Sequence, residues 1–246
     1  MTNSLQASNY FKIVDSKARP IDVTPYLLEK EGVQESLEDF TEDFIREFRE
    51  SPDVHWMIDL ETLGLEPESA LVQVGMAPFF LEAKKGLATK TFRGQSLSIV
   101  HKAILKIEGQ NRKIDQDTVS WWETSNRQNL HLLKSGDTNL VDELLLLKKI
   151  LSRDSNIWAN SPRFDVQLLC DCFRQYKEQV GSFPVSFRNE WDVRTISKLA
   201  GLTSTEMKPV YSDSSQFWSI SNKHDALADC LTQIFQVQTA YERLHV

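Results

Sequence analysis

Three short stretches hold the residue types from which a reactive site could be assembled. In 58-IDLETLG-64, Asp59 and Glu61 occupy alternate positions straight after the apolar run 54-VHWMI-58. Side chains alternate faces along a strand, so both carboxylates point the same way, side by side. Like charges held that close repel, and the repulsion raises the pKa of one of them. Two acids ending a buried strand therefore raise the question of what sits between them. In 160-NSPRFDVQLL-169, Asp165 stands near the start of a helix, where a carboxylate is also an ordinary N-terminal residue. In 223-KHDALADC-230, His224 lies five residues ahead of Asp229 at the opening of the last helix. Taken singly, each stretch has a plain reading: exposed alternating acids, a helix cap, a loop histidine.

The elements that must position these residues follow from periodicity. The segment 54-VHWMIDL-60 reads as a buried strand, and 70-ALVQVGMAPFFLE-82 continues with β-rich character. The pair Lys85–Gly86 predicts a hairpin turn into a third strand, 87-LATKTFR-93. Helical patterns follow from about Asp115 or Asp117 through 118-TVSWWETS-125, and over about 138–153. The strand 156-NIWAN-160, a break at Ser161–Pro162 and the helix 165-DVQLLCDCFRQYKE-178 come next. A strand end then leads into a helix closed by Gly201, a serine-rich loop reaches about Lys223, and a long helix spans 225–244. Three leading strands, most simply antiparallel, followed by helices, predict an α/β fold with a mixed sheet. Residues 1–51 read as an N-terminal helical extension and 52–246 as the main domain. Thr24 and Pro25 would open a helix over 25–31. A second helix, about Gln34 to Glu50, carries Leu37, Phe40, Phe44 and Phe48 along one stripe and is expected to pack on the main domain.

In this order and context, 59-DLET-62, 160-NSPRFD-165 and 224-HDALAD-229 resemble the motifs of the DEDD superfamily of 3′→5′ exonucleases, in its histidine-containing DEDDh branch. The resemblance runs from Asp59 to Asp229 and leaves out the first fifty residues. Its character is that of RNase T-like members, and 118-TVSWWE-123 and 191-WDVRTI-196 are similar to features of phage exonucleases of the exonuclease A type.

The resemblance implies an RNase H-like fold and two divalent cations, Mg²⁺ or Mn²⁺, between the carboxylates; hard oxygen donors suit such ions. A pair roughly 4 Å apart activates a water and stabilises the leaving 3′-oxygen. Asp59 would bridge both ions, Glu61 and Asp229 would hold the one that carries the water, and Asp165 would reach the other. His224 would be the general base, since an unperturbed imidazole titrates near neutrality. The substrate implied is the 3′ end of single-stranded DNA or RNA, the sugar left open, and the product a nucleoside 5′-monophosphate. Thr62 and Leu63 lie where the family contacts the terminal nucleotide. Phe164 is expected to fix Asp165 and is a candidate substrate contact. Trp121 and Trp122 point about 100° apart on a helix, so at most one faces the core fully. Core packing is expected of both, and Trp122 is carried as the candidate for stacking a base. Ala159 stands where the family often has histidine or glycine, a departure that touches no ligand. Asp192 is read as a helix cap. Homodimers are frequent among such relatives, and the added N-terminal residues leave that question open. The competing reading is a non-catalytic binding or interaction module on the same fold.

At 246 residues with 41% hydrophobic and 26% charged side chains, the chain has the composition of an ordinary soluble protein. A net charge of −7 argues against gripping nucleic acid by overall field. Lys84, Lys85, Lys90, Arg93, Lys106, Arg112 and Lys113 could form a local basic groove, though scattered solvated charge is the simpler reading. Cys170, Cys172 and Cys230 have no paired spacing, which excludes a zinc site or disulfide framework and predicts buried thiols. The absence of a signal-like N-terminus or an apolar run of spanning length predicts a cytoplasmic protein with no membrane partner.

Overall fold

A computed structural model describes residues 11–22, 29–30, 33–82, 86–203 and 224–245. One mixed sheet organises them. Its strands are β1 (Phe11–Val14), β4 (His55–Thr62), β5 (Leu71–Phe79), β6 (Lys90–Phe92), β7 (Gln95–Ile104), β8 (Asn156–Ala159) and β9 (Glu190–Asp192). The order is β1-β7-β5-β4-β8-β9, with β6 paired to β7. Strands β1, β7, β5 and β4 run antiparallel to their neighbours, while β8 and β9 add in parallel. Parallel strands need a crossover. Helix α3 (Leu140–Ile150) precedes β8, and α4 (Asp165–Gln175) separates β8 from β9.

Alternation along β4 decides which layer meets which. Trp56, Ile58 and Leu60 belong to one core, together with Phe40, Phe44 and Phe48 of α1 (Leu37–Arg49), the leucines of α3 and Leu168, Leu169 and Phe173 of α4. Met57, on the opposite face, belongs to a second core with Ala77, Phe79, Val100 and Trp158, covered by Leu227, Cys230, Leu231, Ile234 and Val237 of α6 (Ala226–Leu244). The result is three layers, α1, α3 and α4 on one side of the sheet and α6 on the other. By the same alternation Asp59 and Glu61 share Met57's face and look towards α6.

Several expected elements form close to where the pattern puts them. Helix α1 begins after Ser36, whose hydroxyl accepts the Asp39 N–H at 3.0 Å, and ends with Arg46 and Arg49 in its last turn. Phe40, Phe44 and Phe48 are fully buried, but Leu37 is exposed and Ile45 takes its place on the inward stripe. Asp115 caps α2 (Gln116–Thr124), and Asp192 caps α5 (Val193–Leu199) by accepting the Thr195 N–H at 2.6 Å. Gly201 follows α5 at φ +65°.

Other expectations are corrected. The third long strand is β7, not 87–93, of which only Lys90–Phe92 is extended. The hairpin turn is Arg93–Gly94, with both residues at positive φ and Phe92 opposite Gln95, whereas Lys85 lies outside the described residues. An arginine leading a primed turn lacks the Asn-Gly or Asp-Gly signature, which is why sequence placed the turn elsewhere. Strand β7 is buried on both faces over Leu97–His101, so it shows no clean alternation to read. In the N-terminal region expected to be helical, Phe11–Val14 pairs with Ser98–His101 as an edge strand. The helix expected over 25–31 falls mostly outside the described residues. Its end does not: Glu29–Lys30 (β2) pairs antiparallel with Val33–Gln34 (β3). The serine-rich loop before His224 lies outside the described residues.

Candidate active site

The acids converge because the second half of β4 and the starts of two helices meet at the same end of the sheet. Strand β4 brings Asp59 and Glu61. Helix α4 starts at Asp165, directly after β8, and β8 pairs in parallel with the first half of β4. Asp165 Oδ1 accepts the Leu60 N–H at 3.2 Å, so this carboxylate is fastened to the backbone between the two strand acids. Helix α6 supplies Asp229 one turn in, and the turn before it supplies His224.

The start of α6 is held by residues that sequence reading did not single out. Gly75 stands opposite Asp59 on β5. A Cβ there would lie 2.3 Å from the backbone carbon of Ala226, so only glycine lets the helix come this close. Gln73 accepts the Ala226 N–H at 2.7 Å, and Cys230 Sγ donates to the Gly75 carbonyl at 3.3 Å. Lys102 of β7 pairs with Asp225, the N-cap whose carboxylate also accepts the Ala228 N–H. His224 sits at φ +61°. Its N–H donates to Asp229 Oδ2 at 3.1 Å, and its carbonyl accepts from Asn129 Nδ2 at 2.8 Å. The backbone is thus pinned on both sides of the imidazole.

The outcome is a crowded set of anions. A carboxylate oxygen of Glu61, a ring nitrogen of His224 and a carboxylate oxygen of Asp229 lie within 4.8 Å of one another. Burial, then the charges of Asp165, Asp229 and Glu61, hold the Asp59 carboxyl well above the usual carboxylate range; Gln233 opposes this by donating to Asp59 Oδ1 at 2.7 Å. Burial, then Asp229, Asp225 and Asp165, push Glu61 up to about 8. Burial raises Asp165 to about 7, against the pull of backbone N–H groups and the positive charge of Arg194. Acids held against burial and neighbouring charge, as Asp59 and Glu61 are, gain from a positive charge beside them, and an all-oxygen set beside an imidazole fits a hard divalent cation.

The expected substrate contacts fare differently. Thr62 is buried; its hydroxyl donates to the Gly64 carbonyl and its carbonyl accepts the Trp122 indole N–H at 3.0 Å. Leu63 is buried in a small cluster with Ala70, Val72, Trp122 and Leu132. Trp122 has no exposed surface and cannot offer a ring face to a base, which corrects its expected stacking part. Its neighbour Trp121 is half-buried and stands edge-on to His224, with ring centroids 5.0 Å apart. Phe164 is half-buried and lines a cleft of about 240 Å³ with Leu65, Glu66, Pro67, Arg163, Gln167 and Leu168.

Three of the basic residues considered for a groove are committed to structure, Lys106 and Lys113 are exposed, and Lys84 and Lys85 lie outside the described residues. Arg93 pairs with Glu35 and lies over the rings of Phe40 and Phe92. The Arg112 side chain is buried and donates to the Ser69 and Pro67 carbonyls and to Gln175 and Asp171. Lys90 donates to Ser51. The three cysteines are free thiols, Cys172 and Cys230 buried and Cys170 half-buried; burial pushes Cys172 up to about 12. No helix among the described residues is long and apolar enough to cross a membrane.

Comparison with solved structures places the fold. Over 82% of this chain and 86% of its own, S. pombe Pop2p in its Mg²⁺- and Mn²⁺-bound form superposes with a TM-score of 0.52 at 14% identity. A chain in the structure of the yeast NOT1 MIF4G domain co-crystallised with CAF1 gives 0.50 at 11% identity, covering 80% of this chain and 82% of that one. E. coli exonuclease I bound to a dA16 oligonucleotide gives 0.46 at 14% identity, over 78% of this chain and 43% of its own. A search of curated proteins finds no match. The fold is that of the RNase H-like exonucleases. Within that class, the family model of the 3′-5′ exoribonuclease Rv2179c-like domain matches residues 54–241, and the chain belongs to this family.

Proposed function

We propose that this 3′→5′ exonuclease is of the DEDDh type and removes nucleoside 5′-monophosphates one at a time from single-stranded nucleic acid. The observation that carries this is the convergence of Asp59, Glu61, Asp165 and Asp229, with His224 beside Glu61 and Asp229. The four carboxylates would hold two divalent cations, Mg²⁺ or Mn²⁺, which when bound lower the pKa of a coordinated water and stabilise the charge on the leaving oxygen.

The chain's own residues supply the remainder. His224 takes the proton of the attacking water as its oxygen forms the new bond to phosphorus. The bond from phosphorus to the 3′-oxygen breaks on the opposite side, and the leaving oxygen is protonated from solvent. Trp121, edge-on to the imidazole, limits the ring's orientations. Glu61 and Asp165 are nearly buried, 8% and 4% exposed. A phosphodiester can reach them only on a strand slender enough to enter, which favours a single-stranded end over a stiff duplex. The family's description as an exoribonuclease favours RNA.

A time course on matched 5′-labelled single-stranded RNA and DNA, with duplex controls, tests the reading. The expected result is a ladder shortening from the 3′ side in Mg²⁺ or Mn²⁺ and arrested by EDTA, with RNA degraded faster. Shortening that persists in EDTA would remove the metal mechanism, and an oligonucleotide that is bound but never shortened would remove the enzyme.

A further inference from the structure

Helix α6 does more than deliver Asp229. One turn further on, at the i+4 position and so on the same helical face, lies Gln233. Its side chain is 6% exposed, and Nε2 donates to Asp59 Oδ1 at 2.7 Å across 174 positions of sequence. Its other amide atom, Oε1, is buried with no partner among the described residues. Asp59 is therefore the group that sets the amide's orientation: the swapped amide would press a carbonyl oxygen against a carboxylate. A buried glutamine amide is costly unless its donor is used. Here the donor is used on the acid at the centre of the cluster. The close seat of the helix at Gly75 and the Cys230 bond to the Gly75 carbonyl fix the depth from which Gln233 reaches β4.

We propose that Gln233 is a positioning residue that clamps one oxygen of Asp59, so that the other faces the space shared by Glu61, Asp165 and Asp229 and is presented to a divalent cation. Neither a carboxylate nor an apolar side chain would serve. Glutamate would set a fifth anion against Asp59, and leucine or methionine would leave Asp59 facing only like charges on its neighbours. Hydrogen-bond partners that orient metal ligands commonly govern affinity for the ion as well as rate.

This inference rests on the metal-dependent nuclease reading, and its test separates the two. Mn²⁺ uptake is measured by electron paramagnetic resonance on the full chain, alongside metal-free melting curves, for wild type, Gln233→Met, Gln233→Leu and Gln238→Met. Gln238 lies further along the same helix and is bonded to Gly86 and the Phe80 carbonyl, so it reports a purely structural loss. The expected result is that both Gln233 variants weaken Mn²⁺ binding by ~10-fold or more, while Gln238→Met lowers the melting temperature and leaves the affinity near wild type. Readings are taken below the melting transition of every variant, so a fold defect cannot mimic the loss. Wild-type affinity in both Gln233 variants, or an equal loss in Gln238→Met, would overturn the inference while leaving the nuclease reading intact. A wild type that takes up no Mn²⁺ would overturn both.

Discussion

At the scale of single residues, Asp59 gathers most of the consequences. It is buried among Glu61, Asp165 and Asp229, so its charged form is disfavoured in the metal-free protein. Asp59→Asn is expected to abolish hydrolysis and to leave the metal-free melting temperature near wild type where the buried acids keep their protons. It should raise that temperature by ~2–4 °C only at the alkaline end of the range, where the wild-type cluster ionises. The pH dependence has a definite sign. Glu61 keeps a proton in the folded state up to about 8 that an unfolded chain releases near 4.5, and Asp165 keeps one to about 7 against 3.8. Their contribution to stability is complete below the unfolded values and is lost as pH rises through the folded ones. Calorimetry of the metal-free chain should therefore give a falling melting temperature from about pH 5 to about pH 8, with a shallower fall in Glu61→Gln. Mn²⁺ should stabilise more at the upper end of that range than at the lower, because fewer protons must be displaced. For His224, the base role and a ligand role diverge in one variant. His224→Ala is expected to cut kcat by ~10²–10⁴ with Mn²⁺ uptake intact; loss of uptake would place the imidazole among the ligands instead.

At the scale of elements, the site depends on how closely α6 lies against β5 and β4. Gly75, Gln73 and Lys102 all act on the first turn of that helix, and none of them bears a reacting group. Gly75→Ala forces backbone atoms of Ala226 and Leu227 apart from the sheet. An expected cost of ~1–3 kcal/mol in urea unfolding should come with a disproportionate fall in Mn²⁺ affinity, because Asp229 and Gln233 move with the helix. Unchanged metal binding in a destabilised Gly75→Ala would mean that helix depth does not set the site. Helix α4 is tied in differently. Asp165 bonds the Leu60 N–H of β4, so its position is referenced to the strand rather than to a neighbouring helix.

For the whole molecule, described residues ahead of the family match are built into the same structure. Strand β1 extends the sheet at β7, and Phe40, Phe44 and Phe48 of α1 share a core with Trp56, Ile58 and Leu60 of β4. Phe44 is fully buried and packs edge-on to Phe48 at 5.0 Å. Phe44→Ala is expected to cost about 3–5 kcal/mol in chemical denaturation while leaving metal affinity close to wild type below the transition, since those rings lie on the face of β4 opposite the acids. A shortened chain that lacks α1 but matches the full chain's stability would contradict that packing.

The four acids and His224 were picked out of the sequence by the order of three motifs and their resemblance to a family, since each stretch taken singly has a plain reading. Alternation along a strand places Asp59 and Glu61 on one face whatever surrounds them, whereas His224 is brought to Asp229 by a backbone at positive φ whose N–H bonds Asp229 Oδ2. The type and order of the elements that carry them followed from local periodicity as well. What only the tertiary structure decided are the pairings across long stretches of chain: Gln233 with Asp59, Lys102 with Asp225, Gly75 under Ala226 and Trp121 rather than Trp122 at His224. Local pattern is equally silent on β7, whose two buried faces erase alternation, and on Arg93 and Arg112, whose charges are spent on distant carbonyls and acids. A side chain's periodic position is fixed by its own backbone, but its partner is fixed only when the layers close and bring groups remote in sequence within bonding distance.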